Sequence, residues 1–492
     1  MSDGGGPADG DGSSDGDWRD RGRDVLERLV DASAIERMLI SLAALVASLI
    51  VGAVIVLAAG LLEECERGFV VGGDVISIPF TGMGVQLPAF EAAVPGVANA
   101  CYSPMDVYYQ LFVAPFTSSF DLALTLKETT LLLFTGLSVA VAFRAGLFNI
   151  GTQGQLVLGG LGTALAVLWV APLVPGGLVG TLILVPLGLL VGAVVGGLYG
   201  AVPGALKAYA DANEVITTIM LNFVATGVAF YLVSAYVQDP GSQSTETESL
   251  PGYAQLSPEV EAFSGTDFSV VALLLGAVLV GAVYYLLWHT AFGYELRTSG
   301  LQPAAAAYSG VDSERMIVTS MFLSGALGGV GGAIYVMMVL GRWRAGVPPL
   351  GFDGITVSIL AGNNPLGVAL ASGLFGTLKS GSLSIEFALG VPSQLVEVLR
   401  GLVILFVAMP EFFRMLGIRY DVGGSGGDPV ETPETESDPA DGAVETDGGV
   451  DGAVETDGGV DRSVETDGGV DGAVETAGGP GPDGDAGGEA DE

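Results

Sequence analysis

The strongest constraint on this chain is Met38–Leu62, a segment of 25 consecutive residues without a charged side chain. The hydrocarbon core of a bilayer is about 30 Å thick, so a helix of about 20 apolar residues crosses it. A single Asp or Arg at the centre of such a helix would cost about 3 kcal/mol, whereas each Leu, Val or Ile favours insertion. The segment therefore predicts a membrane-spanning helix. Eight further spans are predicted at about 129–143, 155–172, 178–203, 216–237, 268–288, 316–340, 366–378 and 394–409.

The charges of the 492-residue chain are concentrated at its two ends. Residues 1–37 contain ten acidic and five basic residues, and residues 421–492 contain 22 acidic and one basic residue. The middle is too poor in charge to cover the surface of a soluble globule of its size. Without a basic patch, nucleic acid is excluded as a partner. Two Cys and one His also exclude a zinc or iron–sulfur framework, so no metal site is expected.

Three regions follow from this distribution: an acidic, mostly disordered segment 1–37, a transmembrane domain 38–415, and a disordered acidic tail 421–492. The tail contains a decapeptide that begins DGAVETDGGV at Asp441 and occurs four times with variations. A repeat with so much Gly and acid cannot bury an apolar face. The fold class is therefore an all-α membrane protein, a polytopic helical bundle of about eight to ten transmembrane helices with interrupted half-helices, between disordered acidic termini.

The formal net charge of −37 carries information about the cell. A chain this negative repels itself at low ionic strength, but at molar salt the screening length falls to about 3 Å and the repulsion largely disappears. The composition therefore indicates a halophilic microbe. An ordinary organism whose protein has two acidic tails is the alternative.

The orientation of the spans is predicted from their flanking charges. Five arginines precede the first span, which indicates a cytoplasmic N-terminus. The segment 238–267 contains six acidic and no basic residues and is predicted outside, whereas 289–315 contains Arg297 and Arg315 and is predicted inside. Between Cys65 and Cys101, both outside in this topology, an oxidising compartment permits a disulfide. Two unpaired cysteines are the alternative.

The number of crossings is not settled by hydropathy alone. Arg414 and Arg419 follow the last span and indicate a cytoplasmic tail, which requires an even number of crossings. Some part of 341–393 must therefore cross, or half-cross, in a way that hydropathy does not show. Ile355–Gly362, followed by Asn363-Asn364-Pro365, is the predicted half-helix.

Polar groups inside apolar segments are informative because lipid offers them no water. Three clusters occur: within Phe148–Gln155, at the start of the fifth span, and after the half-helix. Interrupted segments in both halves of a chain point to a transport site at mid-depth. Uncharged amides suit a neutral solute that carries hydroxyl or amide groups. The candidate pathway residues are Asn149, Gln153, Gln155, Asn213, Glu214, Asn222, Asn363 and Asn364.

A structural role competes with each of these assignments. An amide can simply bridge two helices, which is worth about 0.6 to 2 kcal/mol in a membrane. Because the predicted spans up to 366–378 contain no carboxylate, a proton relay is not expected. Two glycine-rich runs are most simply surfaces on which helices pack closely. They are Gly192, Gly196, Gly197 and Gly200 in one span, and Gly328, Gly329, Gly331 and Gly332 in another.

The predicted inside segment 289–315 offers a surface for a partner protein. Pro303 suits the first turn of a short helix, Gly310 suits its end, and the alanines between them favour helix. Such a helix can insert into a groove on another protein, although it could equally be a plain connection. No GxxxxGK[ST] loop and no Ser-His-Asp set occurs, so the chain is not expected to be an enzyme or to hold a cofactor. Energy for any pumping must come from a partner.

These segments together resemble a known family. GLFNIGTQGQ (Gly146–Gln155), NEVITTIMLN (Asn213–Asn222), GYELRTSGLQPAAAAYSG (Gly293–Gly310), SGALGGVGG (Ser324–Gly332) and LRGLVILFVA (Leu399–Ala408) occur in the order seen in permease subunits of ATP-binding cassette (ABC) importers. The resemblance covers about 128–410 and is strongest to the branch for simple sugars and nucleosides. The broader group also includes permeases for ribose and branched-chain amino acids.

The resemblance implies a set of partners in the cell membrane. An ATP-binding cassette subunit would bind inside, a second homologous permease subunit would pair with this one, and an extracytoplasmic substrate-binding lipoprotein would deliver the solute. Membrane lipid would surround the bundle. In such families the loop matching Gly293–Gly310 contacts the ATPase, so the coupling residues here would be Gly300, Ala305, Ala306 and Gly310.

The expected function is therefore translocation of a nucleoside or a simple sugar across the cell membrane. Three alternatives stay open. They are a branched-chain amino acid permease of the same group, an ion-coupled secondary carrier without an ATPase, and a membrane scaffold that transports nothing.

Overall fold

The structure is a computed structural model that describes residues 34–62, 75–77, 84–86, 101–392 and 394–405. The acidic N-terminal residues 1–33, Cys65 and the tail 421–492 lie outside these described residues. Apart from a small antiparallel pair of strands, β1 (Val75–Ser77) and β2 (Gly84–Gln86), the regular structure is helical.

Thirteen helices are present in the described part of the chain. They are α1 (Ala34–Leu62), α2 (Pro104–Phe112), α3 (Ser119–Arg144), α4 (Thr152–Val170), α5 (Leu178–Ala210), α6 (Glu214–Leu232), α7 (Val270–His289), α8 (Ala291–Leu301), α9 (Pro303–Tyr308), α10 (Ser313–Ile334), α11 (Leu350–Leu360), α12 (Pro365–Leu389) and α13 (394–405). Short π-helical turns extend α6 to Val237 and α10 to Leu340.

Six helical stretches within the described ranges are long and apolar enough to cross a membrane, which confirms a polytopic helical bundle. Each coincides with a predicted span but is longer at one or both ends. The stretches are Ser119–Arg144, Thr152–Leu173, Leu178–Ala210, Glu214–Val237, Val270–His289 and Ser313–Leu340.

Capping explains why α3 begins ten residues before its predicted span. The Ser118 hydroxyl accepts a hydrogen bond from the backbone N–H of Asp121 at 3.1 Å, which satisfies one of the free donors of the first turn. The apolar pattern begins only after Lys127 and Glu128, so hydropathy places the start too late. A second cap, formed by Asn364, sets the start of α12: its side chain accepts from the N–H of Leu366, and Pro365 occupies the first turn.

Glycine contacts join the centre of the bundle. A side chain on Gly196 would overlap the backbone of Gly325, and one on Gly192 or Gly159 would overlap that of Gly329. Helices α5 and α10 therefore touch through their backbones and run antiparallel, and α4 lies against the same stripe of α10. Close approach of this kind is how helices gain van der Waals energy in lipid. The predicted role of these glycines as packing surfaces is confirmed.

The segment 145–151 turns back into the bundle after α3. Gly146 packs against Gly300 of α8, which lies at the same end of the bundle as the end of α3. Six residues later, the Thr152 hydroxyl lies 3.2 Å from the Ser138 hydroxyl, in the interior of α3. The segment therefore climbs from one end of the bundle to an interior depth, and α4 begins there. We call 145–151 the re-entrant loop.

The half-helix predicted at Ile355–Gly362 exists but begins earlier, as α11 (Leu350–Leu360). It runs parallel to α3, since Gly354 packs on Thr135 and Val357 packs on Gly136. Helix α12 then returns antiparallel to α3. The segment 341–364 thus runs once more along the bundle, whereas the even number of crossings stays a prediction.

Two ends of the bundle can now be named. Following the predicted orientation, we call the end that contains α8, α9 and the turn 361–364 the inner end, and the end that contains the segments 238–267 and 341–345 the outer end. At the outer end the two segments are tied by backbone hydrogen bonds, including Thr247 N–H to Trp343 O at 2.9 Å, and by an ion pair of 2.9 Å between Arg342 and Glu246. Cys101 is in a disulfide bond.

The close backbone contact between α5 and α10 can be tested directly. Gly329→Ala adds a methyl group that overlaps the Gly192 carbonyl, so we expect the free energy of unfolding to fall by about 1–3 kcal/mol. The melting temperature of the detergent-solubilised protein measures this. Gly281→Ala on α7 is the matched control, because nothing lies within 4 Å of the added carbon and stability should not fall. Equal melting temperatures for both variants and the wild type would contradict the close backbone contact.

Candidate functional site

The re-entrant loop is held by the side chain of Asn149. Its Nδ2 donates to Ser324 Oγ at 2.7 Å and to Gln155 Oε1 at 3.0 Å, and its Oδ1 accepts from the N–H of Gly151 at 3.0 Å. Gln155 Nε2 also donates to Asn149 Oδ1 at 3.2 Å. Both amides are about 1% exposed. Asn149 therefore satisfies the N–H of Gly151 in the loop, and the two amides satisfy each other.

Asn222 holds the same loop from α6. Its Oδ1 accepts from the N–H of Gly154 at 2.8 Å, and its Nδ2 donates to the carbonyl of Ile150 at 3.0 Å. The side chain is 5% exposed. Broken backbone at membrane depth is tolerated only when its polar groups find protein partners, and Asn222 provides them. The side-chain amides of three of the eight candidate residues, Asn149, Gln155 and Asn222, are thus hydrogen-bonded within the protein, and their role in a solute pathway stays a prediction.

Gln153 is the candidate residue that reaches a cavity. A cavity of about 480 Å³ lies between α4, α6 and the segment 343–347. Gln153 also holds the residues that follow this segment, because its Nε2 donates to Pro348 O at 2.9 Å and its Oε1 accepts from the N–H of Gly351 at 2.8 Å. The cavity is lined by apolar, aromatic and uncharged polar residues: Gln153, Val157, Thr226, Gly227, Phe230, Trp343, Ala345, Gly346 and Val347.

The other four candidate residues lie away from this cavity. Asn213 is exposed and caps α6, since its Oδ1 accepts from the N–H groups of Val215 and Ile216 at 3.0 and 3.1 Å. Glu214 pairs with Lys207 at 3.7 Å. Asn363 and Asn364 lie in the turn between α11 and α12 at the inner end, where Asn364 caps α12.

The sequence analysis did not predict a cluster of charged side chains inside the bundle. Lys379 on α12 lies 3.3 Å from Glu128 on α3 and 3.1 Å from Asp353 on α11. Lys127 in turn lies 3.9 Å from Asp267. The expectation that no carboxylate lies within a span is wrong, because α3 extends through Glu128, which is 9% exposed. Ionisable groups at such positions pair with one another, as these do, and join three helices.

Comparison with known proteins decides what this helical bundle is. Residues 122–408 match the family described as "Branched-chain amino acid transport system / permease component". The chain belongs to this family. It is a membrane transport permease and a multi-pass protein of the cell membrane, as the six candidate spans also indicate.

Curated relatives of the permease include three transport proteins. The chain is 35% identical to the guanosine ABC transporter permease protein NupP of Bacillus subtilis, over 62% of this chain and 86% of the relative. It is 35% identical to the glucose ABC transporter permease protein TsgB13 of Haloferax volcanii, over 68% and 89%. It is 30% identical to the nucleoside ABC transporter permease protein NupB of Lactococcus lactis subsp. cremoris, over 63% and 84%.

The inner end of the permease carries the four candidate coupling residues. Ala305 is exposed, whereas Ala306 is 5% exposed and faces the protein. Gly310 adopts a φ of +85°, which only glycine accepts readily, and ends the short helix as the sequence predicted. Gly300 packs on Ala145 and Gly146. The exposed face of α8 and α9 is therefore formed mainly by other residues, including Leu301 and Tyr308, which are 86% and 95% exposed.

The two roles of the amides can be separated by experiment. Asn149→Ala leaves polar groups of the buried loop unsatisfied, so we expect the free energy of unfolding to fall by about 1–3 kcal/mol. The KM of transport by the protein that remains folded should stay unchanged, since Asn149 does not line the cavity. Thermal unfolding in detergent and initial uptake rates measure the two effects. Gln243→Ala removes an exposed outer amide and serves as control. A raised KM with unchanged stability would show that Asn149 contacts solute.

Proposed function

We propose that this permease is the membrane subunit of an ABC importer and that it moves a nucleoside or a simple sugar. Relatives of about 30–35% identity are named for guanosine, glucose and nucleosides, which supports this class of solute. The observation that carries the proposal is the chemistry of the cavity. Its nine lining residues include no acidic or basic side chain.

An uncharged lining discriminates against amino acids. A branched-chain amino acid carries an ammonium and a carboxylate group, and a charge removed from water needs a partner of opposite charge or several strong hydrogen bonds. Gln153 and Thr226 offer neutral hydrogen-bonding groups only. The aromatic side chain of Phe230 adds an apolar face. Both features suit a neutral solute with a ring and hydroxyl groups.

The open side of the cavity supports pairing with a second permease. Helix α6 buries only one stripe against this chain, and its cavity-lining residues Thr226, Gly227 and Phe230 are exposed. A homologous subunit facing α6 would close the cavity and separate the solute from lipid. An extracytoplasmic binding lipoprotein would supply the solute at the outer end, where 238–267 and 341–345 form a tied surface.

The inner end is the proposed docking surface for the ATP-binding subunit. Leu301 and Tyr308 are large apolar side chains that protrude from short helices, and Ala305 leaves room beside them for a partner. Exposed apolar side chains at the end of a bundle, rather than along its lipid-facing sides, are typical of a protein interface. Hydrolysis of ATP would take place on that subunit and not on this chain.

A panel of labelled solutes tests the proposed function. We expect a strain without this chain to lose at least 90% of its uptake of one nucleoside or simple sugar, with leucine uptake unchanged. Selective loss of leucine uptake would favour the amino acid alternative, and unchanged uptake of every nucleoside, pentose and hexose would favour the scaffold. Concentrative uptake by the purified chain alone, driven by sodium or protons, would identify a secondary carrier.

The docking surface is tested by charge insertion. Tyr308→Asp places a charge at the centre of the exposed apolar face, so we expect co-purification of the ATP-binding subunit to fall at least tenfold while the permease stays in the membrane. The control is Val260→Asp, the same kind of change at an exposed residue of the outer end. Bulky residues at Ala306 are a poorer test, since that side chain is buried. Undiminished co-purification of the Tyr308→Asp variant would remove α8 and α9 as the docking surface.

A further inference from the structure

The turn that ends α11 is held by one arginine. Gly362 and Asn363 both adopt left-handed backbone conformations, with φ of +58° and +56°. Their carbonyl oxygens accept hydrogen bonds from Arg144 at the end of α3, from Nη2 at 2.9 Å and from Nε at 2.7 Å. Guanidinium groups suit such paired acceptors because their N–H donors form a rigid, planar fork. Arg144 therefore fixes the inner end of the half-helix.

The same arginine also contacts the helices of the inner end. Its guanidinium carbon lies 5.0 Å from the ring centre of Trp288, at the end of α7. Arg297 of α8 approaches the same ring at 5.5 Å. Attraction between a cation and the face of an indole operates within about 6 Å. One aromatic ring thus joins the side chain that holds α11 to a side chain carried by α8.

A backbone contact reinforces this connection. Gly300 of α8 packs so closely on Ala145 and Gly146 that no side chain would fit. These two residues directly follow Arg144. A displacement of α8 would therefore be transmitted to the end of α3 both by this backbone contact and by the side chains of Arg297, Trp288 and Arg144.

The opposite end of α11 reaches the cavity. The N–H of Gly351 and the carbonyl of Pro348 are both bound by Gln153, which lines the cavity wall. A helix of 11 residues is a rigid rod about 16 Å long. Its two ends are thus held by different side chains, Arg144 at the inner end and Gln153 at the cavity.

We infer that Arg144 is a positioning residue for transport, which links the inner helices α8 and α9 through Trp288 to α11 and thereby to the cavity wall at Gln153. This inference rests on the proposed function, because it takes the displacement of α8 to come from a partner. In this proposal α11 changes position during transport, and the Arg144–Trp288–Arg297 contact transmits the displacement of α8 to it. Packed elements of this kind switch between discrete positions.

The test measures solute moved per ATP hydrolysed by the reconstituted complete importer. We expect Arg144→Gln to lower this ratio at least tenfold while ATP hydrolysis stays within twofold of the wild type. Arg144→Lys keeps the charge but not the planar fork and should recover part of the loss. Trp288→Leu, which removes the ring and leaves Arg144 in place, should lower the ratio in the same direction. Arg315→Gln, an exposed arginine on α10, is the matched control and should leave the ratio unchanged.

A double-mutant cycle separates this linkage from two unrelated defects. If Arg144 and Gln153 act on one rod, the Arg144→Gln, Gln153→Ala double variant should transport no more than twofold worse than the poorer single variant. Independent residues would multiply their losses, and that result would overturn the inference. So would an unchanged transport-to-hydrolysis ratio in both Arg144→Gln and Trp288→Leu. A wild-type complex that hydrolyses ATP but moves no nucleoside or sugar would instead contradict the proposed function.

Discussion

The arrangement depends on one constraint, the absence of water around a broken backbone within a membrane. The re-entrant loop has N–H and C=O groups that no helix satisfies, and each would be costly to leave unpaired in hydrocarbon. Asn149 and Asn222 bind these groups from two sides. Because the loop is stable at that depth, α4 can begin inside the bundle, and its first turn carries Gln153 to the cavity.

The helices at the centre of the bundle pack more closely than the peripheral helix α6. Helices α4, α5 and α10 touch through glycines, which lets their backbones approach without the loss of side-chain freedom. Helix α6 is peripheral by comparison and is attached to α4 mainly through the stripe that includes Asn222 and Ala225. The cavity lies between this closely packed centre and α6.

Local sequence patterns were enough to predict the helical fold. Contacts between residues far apart in the chain could not be predicted from the sequence. Spans, glycine packing surfaces and the helix between Pro303 and Gly310 follow from composition and spacing, and the charge count demanded an additional passage. The start of α3 was placed too late because Glu128 is stabilised by Lys379, 251 positions further along the chain. Asn149 was ambiguous for the same reason, since its partner Ser324 is 175 positions away. The capping role of Asn213 could have been predicted from the sequence, because Asn followed by an acidic residue in the first turn is a common helix start.

The position of Trp343 has a practical consequence. Its indole is 2% exposed, donates to the Val157 carbonyl at 3.2 Å and forms part of the cavity wall. Indole emission depends on the polarity and mobility of its surroundings, so replacing cavity water with solute alters the colour and intensity of the light that this side chain emits. Trp169 is 69% exposed and does not line the cavity, so its emission is not expected to respond to solute there. The fluorescence of Trp343 is therefore expected to report whether the cavity is occupied by solute.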